Sequence, residues 1–148
     1  MSFDSQKKII NKNNPIDYIE DYVLDDDIET YRLSRDEITI SSKGIWKNYK
    51  ISFKWYEYKK IIEVNSYFDM SKKNKIKKSI YSLISDVNKK ANVGFFNFCP
   101  KLNTIFYSYK ISVKGQNYIT VEQVQDFIDL VTSECDRFFP VFFVFFYK

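Results

Sequence analysis

The chain has 148 residues, 45% of them apolar and 19% aromatic, with three glycines, three prolines, two cysteines, no histidine and a formal charge of +4. That length suits one domain whose core needs neither disulfide nor metal, and the aromatic content excludes a disordered chain. The missing histidine removes the commonest general base and metal ligand, so serine–histidine and cysteine–histidine catalysis are excluded together.

Met1 to Asn13 is polar and lysine-bearing and has no apolar run of the kind a secretory signal needs. It is expected to be a flexible segment ahead of a single domain over 14–148, in a cytosolic protein. Asn14-Pro15 then opens a first helix, about 15 to 25: asparagine is a strong N-cap and proline is pre-set for the first helical position. Ile16, Ile19 and Val23 form its apolar stripe, and Asp17, Glu20, Asp21 and Asp25 an acidic back. Asp25-Asp26-Asp27, the densest acidic cluster, is expected to be a solvated turn rather than a metal site.

From Thr30 the period becomes alternating, with Tyr31-Arg32-Leu33 and Glu37 to Ser41 as short strands. After the turn Ser42-Lys43-Gly44, Tyr49, Ile51, Phe53 and Trp55 point one way and Lys50, Ser52 and Lys54 the other. Ile62, Val64 and Phe68 repeat the pattern in an antiparallel neighbour. Ser71 is expected to cap a second helix, about 72 to 92, buried through Ile76, Ile80, Leu83, Ile84, Val87 and Ala91, with Gly94 as its stop. Two more strands follow, about 94 to 99 and 103 to 113. Thr120 and Gln123 make a capping box for a third helix through Val124, Phe127, Ile128, Val131 and Cys135. Pro140 is expected to turn the aromatic tail away from that helix axis. The order α-β(3-4)-α-β(2)-α predicts an α+β layer.

The four groups Trp46-x-x-Tyr49-x-Ile51-Ser52-Phe53-x-Trp55, Phe68-Asp69-Met70, Val87-Asn88 with Gly94-x-Phe96, and Glu134-Cys135-Asp136-Arg137-Phe138-Phe139-Pro140, in this order and at these intervals, resemble the bacterial YbjN family. The resemblance runs from about Asn14 to the last residue. It implies a fold like that of type III secretion chaperones, with helices packed on a curved antiparallel sheet, and a role as a sensory transduction regulator, which names no reaction. Where many relatives carry an arginine and a histidine, this chain has Tyr107 and Ser108, so a role built on that charged pair does not transfer.

No constellation for an enzyme emerges. Cys99 and Cys135 give no zinc spacing and are expected to be reduced packing thiols, the glycines make no phosphate loop, and neither cofactor nor metal is expected. Lys72, Lys73, Lys75, Lys77 and Lys78 form a basic patch at the expected start of the second helix, where cations oppose the macrodipole. A solvated face explains it, as does an acidic partner, including the acidic helix of a second subunit, or nucleic acid. Nucleic acid is disfavoured, because twenty lysines stand against three arginines and phosphate or base recognition favours the arginine fork.

Seven of the ten residues after Arg137 are aromatic. Phe138, Phe139, Phe142 and Phe146 are expected to pack on the sheet, yet one helix cannot turn all seven inward, and a residual apolar patch marks an interaction site. The uncharged stretch is too short to span a bilayer. Trp46, Tyr56, Tyr67 and Phe106 fall opposite the core face by alternation, an arrangement that suits base stacking or a covering helix or subunit. The expected partner surface therefore comprises Trp46, Tyr56, Tyr67, Phe106, Phe142, Phe143, Phe145 and Phe146. The expected function is a non-enzymatic, chaperone-like or regulatory adaptor that binds a polypeptide or a second copy of itself. The alternatives are a nucleic-acid-associated regulator and a small-molecule sensor domain.

Overall fold

A computed structural model describes residues 14–70, 76–116 and 118–147. The segment Met1 to Asn13 lies outside the described residues, as do Ser71, Lys72, Lys73 and Lys75. Among the described residues three helices and six strands follow in the order α1 (Pro15–Asp25), β1 (Thr30–Ser34), β2 (Glu37–Lys43), β3 (Asn48–Tyr56), β4 (Ile61–Tyr67), α2 (Ile80–Lys90), β5 (Phe95–Cys99), β6 (Thr104–Ser112) and α3 (Val121–Tyr147). All strand pairs are antiparallel and the sheet order is β1-β2-β3-β4-β6-β5. This is the expected α+β layer with a one-sided sheet.

The period of two in the strands decides the layering. Ile38 and Ile40 sit opposite Phe53 and Ile51, Phe53 opposite Val64, Trp55 opposite Ile62, and Phe96 opposite Tyr107. These rows join the buried stripes of all three helices in one core, which includes Ile16, Ile19 and Val23 of α1, Ile80, Ile84 and Val87 of α2, and Val124, Val131 and Cys135 of α3. The opposite sheet face presents Lys50, Lys54, Lys110, Tyr67 and Phe95 to solvent.

Local signals decide the helix starts. The Asn14 side chain accepts from the Ile16 N–H at 2.9 Å and itself donates to the Arg35 carbonyl. Thr120 and Gln123 complete the reciprocal box at 3.0 and 3.1 Å. On the acidic back of α1, Arg32 of β1 reaches Asp17 and Glu20, both at 2.9 Å. Asp27 leaves the helix with φ of 55°, so the aspartate run turns the chain toward β1.

The sequence expectations for two of the helices are corrected. The second helix begins at Ile80, not near residue 72, for Ile76 to Ser79 are not α-helical and Ser79 makes no side-chain cap. Cations before a helix are repelled by its positive end, so the α-helix forms only beyond Lys77 and Lys78. Ile76, in phase with Ile80, still packs against the core from the preceding segment. At its other end α2 stops at Ala91 in extended conformation, and Gly94, with φ of +67°, lies beyond it in the loop to β5. A Cβ on Gly94 would collide with the Tyr107 ring and the Ser108 carbonyl, so close approach to β6 is the reason for this glycine.

The second correction concerns the tail. The helix assignment is unbroken from Val121 through Pro140 to Tyr147. Its buried stripe keeps the four-residue step across the proline at Phe138, Phe142 and Phe146. No helix among the described residues is long and apolar enough to cross a membrane.

Candidate functional site

A proline inside a helix removes the donor for the carbonyl four residues earlier. Here that carbonyl belongs to Asp136, and it accepts from the Trp46 indole Nε1–H at 3.0 Å. The Asp136 carboxylate accepts from the Ile45 N–H at 3.0 and 2.9 Å and from the Tyr49 hydroxyl at 2.7 Å. One residue thus ties the β2–β3 turn to α3 with its backbone and its side chain. Gly44 opens that turn because a Cβ there would strike the Tyr49 ring and the Asp136 carboxylate.

The bond to Trp46 explains why the helix tolerates Pro140. Trp46→Phe is expected to cost about 1 kcal/mol by leaving the Asp136 carbonyl without its protein donor. In a Pro140→Ala background the new residue supplies a backbone N–H, and the same substitution is expected to cost less. A double-mutant cycle on urea midpoints measures this coupling.

The tail aromatics divide by helical phase. Phe96 is ringed by Tyr107, Phe138, Phe142 and Phe68, with centroids at 4.9, 5.4, 5.5 and 5.8 Å. Phe142 and Phe146 are fully buried, Phe145 partly. Asp136, Pro140, Phe143 and Tyr147 recur at steps of four, three and four and share one helix face. Along it the Phe139, Phe143 and Tyr147 rings follow one another, tilted, at 5.8 and 4.8 Å between centroids, and Phe143 remains 47% and Tyr147 49% exposed. Trp46, 57% exposed, and Ile45, 80% exposed, join this stripe at the Asp136 end. The result is an apolar seam of Ile45, Trp46, Phe143 and Tyr147, continued by exposed Val144.

The structure therefore brings together only part of the expected partner surface. Trp46 and Phe143 both lie exposed along the seam, Trp46 at its Asp136 end and from a turn rather than from a strand. Phe142 and Phe146 are core residues and cannot meet a partner in this conformation, because the buried stripe of α3 continues through them. Tyr56, Tyr67 and Phe106 lie on the open sheet face: Tyr67 stacks on Phe106 at 5.1 Å, and the Tyr56 hydroxyl donates to Glu63 at 3.1 Å. Of the basic patch, Lys77 and Lys78 are exposed ahead of α2, and the other three lysines lie outside the described residues. Ile45 and Tyr147 are absent from the expected surface. Tyr147 was findable, for extending the stripe Val131, Cys135 in steps of three and four lands on Phe138, Phe142 and Phe146 and leaves Phe143 and Tyr147 outward; Ile45, in a turn, had no such signal.

The other motif residues also hold the architecture. The Asn88 side chain pairs with both backbone groups of Phe96, at 2.7 and 2.9 Å, along β5. Glu134, buried at 4% exposure, accepts from the Asn92 N–H at 3.0 Å and meets Arg137 at 3.5 Å. The Phe68 carbonyl accepts from Lys47 at 2.7 Å and the Met70 N–H donates to Thr104 at 3.1 Å.

Burial raises the pKa of three groups in this region above its ordinary value. For Tyr49 the bond to the Asp136 carboxylate adds to burial, for Tyr107 the nearby Glu134 charge does, and for Cys135 the Asp136 and Glu134 charges do. Each group is neutral when protonated, so the folded state holds these protons more tightly than the unfolded chain. That stabilisation is complete below the ordinary values, 9.0 for the thiol and 10.0 for the phenols, and is lost as pH rises through the higher folded values. Urea midpoints are expected to begin falling above about pH 9 to 10, and Tyr49→Phe to make the fall shallower.

Two clefts flank α1. One of about 350 Å³ lies between α1 and the start of α3, with Asp21, Asp25 and Asp26 at its rim beside Tyr18 and Tyr22 and with Ile119 and Val124 among its apolar walls. The other, about 240 Å³, is lined by Trp55, Lys60, Gln116 and Tyr118 among others.

This architecture defines the class: an α+β protein whose antiparallel sheet has its helices on one face. The chain belongs to the YbjN family, described as "Putative bacterial sensory transduction regulator", which matches residues 15–144. No curated protein matches the sequence. Among solved structures, a chain of the crystal structure of the ExsC–ExsE complex shares the fold, with a TM-score of 0.61 at 7% identity over 86% of this chain and 94% of that one.

Proposed function

We propose that this protein is a non-enzymatic regulatory adaptor that binds another polypeptide along the Ile45, Trp46, Phe143 and Tyr147 seam. The observation that carries the reading is the exposure of Trp46 in the turn beside α3 and of Phe143 and Tyr147 on it, while Phe127, Phe138, Phe142 and Phe146 of the same helix are buried. Aromatic anchors of this kind dominate protein interfaces. The fold neighbour comes from a complex of two proteins, and the family description names regulation, both of which suit a binding role. The test is affinity capture from nuclease-treated cytosol with wild type and Phe143→Ser. A discrete polypeptide retained by wild type and lost from the folded variant is expected; equal recovery by both contradicts the seam.

A second reading, a small-molecule sensor, is favoured by the 350 Å³ cleft, whose acidic rim and tyrosines suit an organic cation. Thermal shift with spermidine tests it, and an unchanged melting temperature at millimolar concentration rejects that ligand class.

A further inference from the structure

The open sheet face carries a charge pattern with a specific symmetry. Glu37 pairs in register with Lys54, Lys54 with Glu63, and Glu63 with Lys110, so one row across β2, β3, β4 and β6 reads Glu, Lys, Glu, Lys. Within the chain Lys110 reaches Glu63 at 3.8 Å, while the Lys54 ammonium lies over the Tyr56 ring. The next row is Thr39, Ser52, Asn65 and Ser108, all small or short polar side chains, with Thr39 and Ser52 hydrogen-bonded at 2.9 Å.

An alternating row of four charges is complementary to its own reverse. A two-fold axis parallel to the strands, midway between β3 and β4, lays β2 over β6 and β3 over β4 of a second copy. Glu37 then faces Lys110, Lys54 faces Glu63, and each contact occurs twice, as an isologous interface requires. The short polar row lets the two faces approach, and the same operation sets Lys50 against Tyr67 of the second copy, a cation–π arrangement. Six strands spaced about 4.8 Å apart and about 25 Å long offer roughly 600 Å² per copy, the lower bound of a specific interface. The same alternation argues against a phosphate backbone, since each lysine of the row is matched by a glutamate.

We propose that the open sheet face binds a second copy of this chain face to face, through the row Glu37, Lys54, Glu63 and Lys110. This leaves the seam on α3 free and goes beyond the adaptor reading without depending on it.

Charge reversal tests the geometry. Wild type is expected to have the molar mass of a dimer by light scattering at low salt. K54E sets a carboxylate against Glu63 of the second copy, and E63K sets an ammonium against Lys54; each is expected to weaken self-association at least about tenfold. An equimolar mixture of K54E and E63K restores opposite charges at all four contacts and is expected to re-form the dimer, which a variant that merely misfolds cannot do. A wild-type monomer throughout the micromolar range overturns the proposal, and so does undiminished dimerisation of both single variants or a mixture that stays monomeric. A monomer that instead binds a single-stranded oligonucleotide overturns it in favour of nucleic acid on this face. Capture by the seam is lost with Phe143→Ser and the dimer is not, so failure of either reading leaves the other standing.

Discussion

Replacing Phe142 by alanine is expected to lower the unfolding free energy by about 3–5 kcal/mol, whereas the same change at Phe143 stays within about 1 kcal/mol. The two positions are neighbours in sequence and chemically identical, so only their surroundings separate them. Phe142 has no exposure and packs its ring against Phe68 and Phe96 at 6.1 and 5.5 Å. Truncation there leaves a cavity between α3, β5 and the end of β4 that a helix anchored at both ends cannot close. Phe143 touches Phe139 and Tyr147 with one side of its ring and water with the other. Chemical denaturation of the two alanine variants gives the comparison directly. Equal losses would mean that the phase of α3 differs from the one described, and with it the seam.

The next largest effect is expected at Asp136. Asp136→Ala removes an acceptor for the Ile45 N–H and the Tyr49 hydroxyl together, and the hydroxyl is enclosed at 2.7 Å with nowhere else to donate among the contacts described. Hydrogen bonds to a charged acceptor contribute about 1.5–3 kcal/mol, and part of this one is solvent-screened, so a loss of about 2–3 kcal/mol is expected. Asp136→Asn keeps one acceptor oxygen and is expected to recover roughly half of it. Hydrogen exchange would place the loosened backbone at Gly44 to Lys47 and at the turn of α3 around Pro140, not in β5 or β6.

Most of the fold was legible because its signals are local. The Asn14 cap, the Thr120 and Gln123 box and the alternation through β3 and β6 are each decided within a few residues, and each element they mark is present. The start of α2 was not legible, since Ile76 is in phase with Ile80 and packs on the core without being helical. Periodicity cannot tell such a residue from the first turn of a helix. The course of α3 past Pro140 depends on Trp46, a donor from a distant turn that no local rule could supply. The candidate site was half legible: an excess of aromatics signalled an exposed patch, but assigning Phe142 inward and Phe143 outward needed the stripe of α3 carried through the proline. Asp136 stood in a motif, but the bonds it makes were not legible because they join two motifs that are far apart in the chain. The residues that carry the family resemblance, among them Tyr49, Asn88, Gly94 and Asp136, are those that hold the elements together, which is why they identify a family without indicating a reaction.

The adaptor reading is tested most directly by placing a photo-crosslinking benzophenone side chain at position 143, with position 89, also exposed, as the control. Under irradiation in cells, a discrete adduct to another polypeptide at 143 and none at 89 is expected, identified by mass spectrometry. No adduct at 143, or the same adducts at both positions, would contradict the claim that the seam on α3 is where this protein binds its partner.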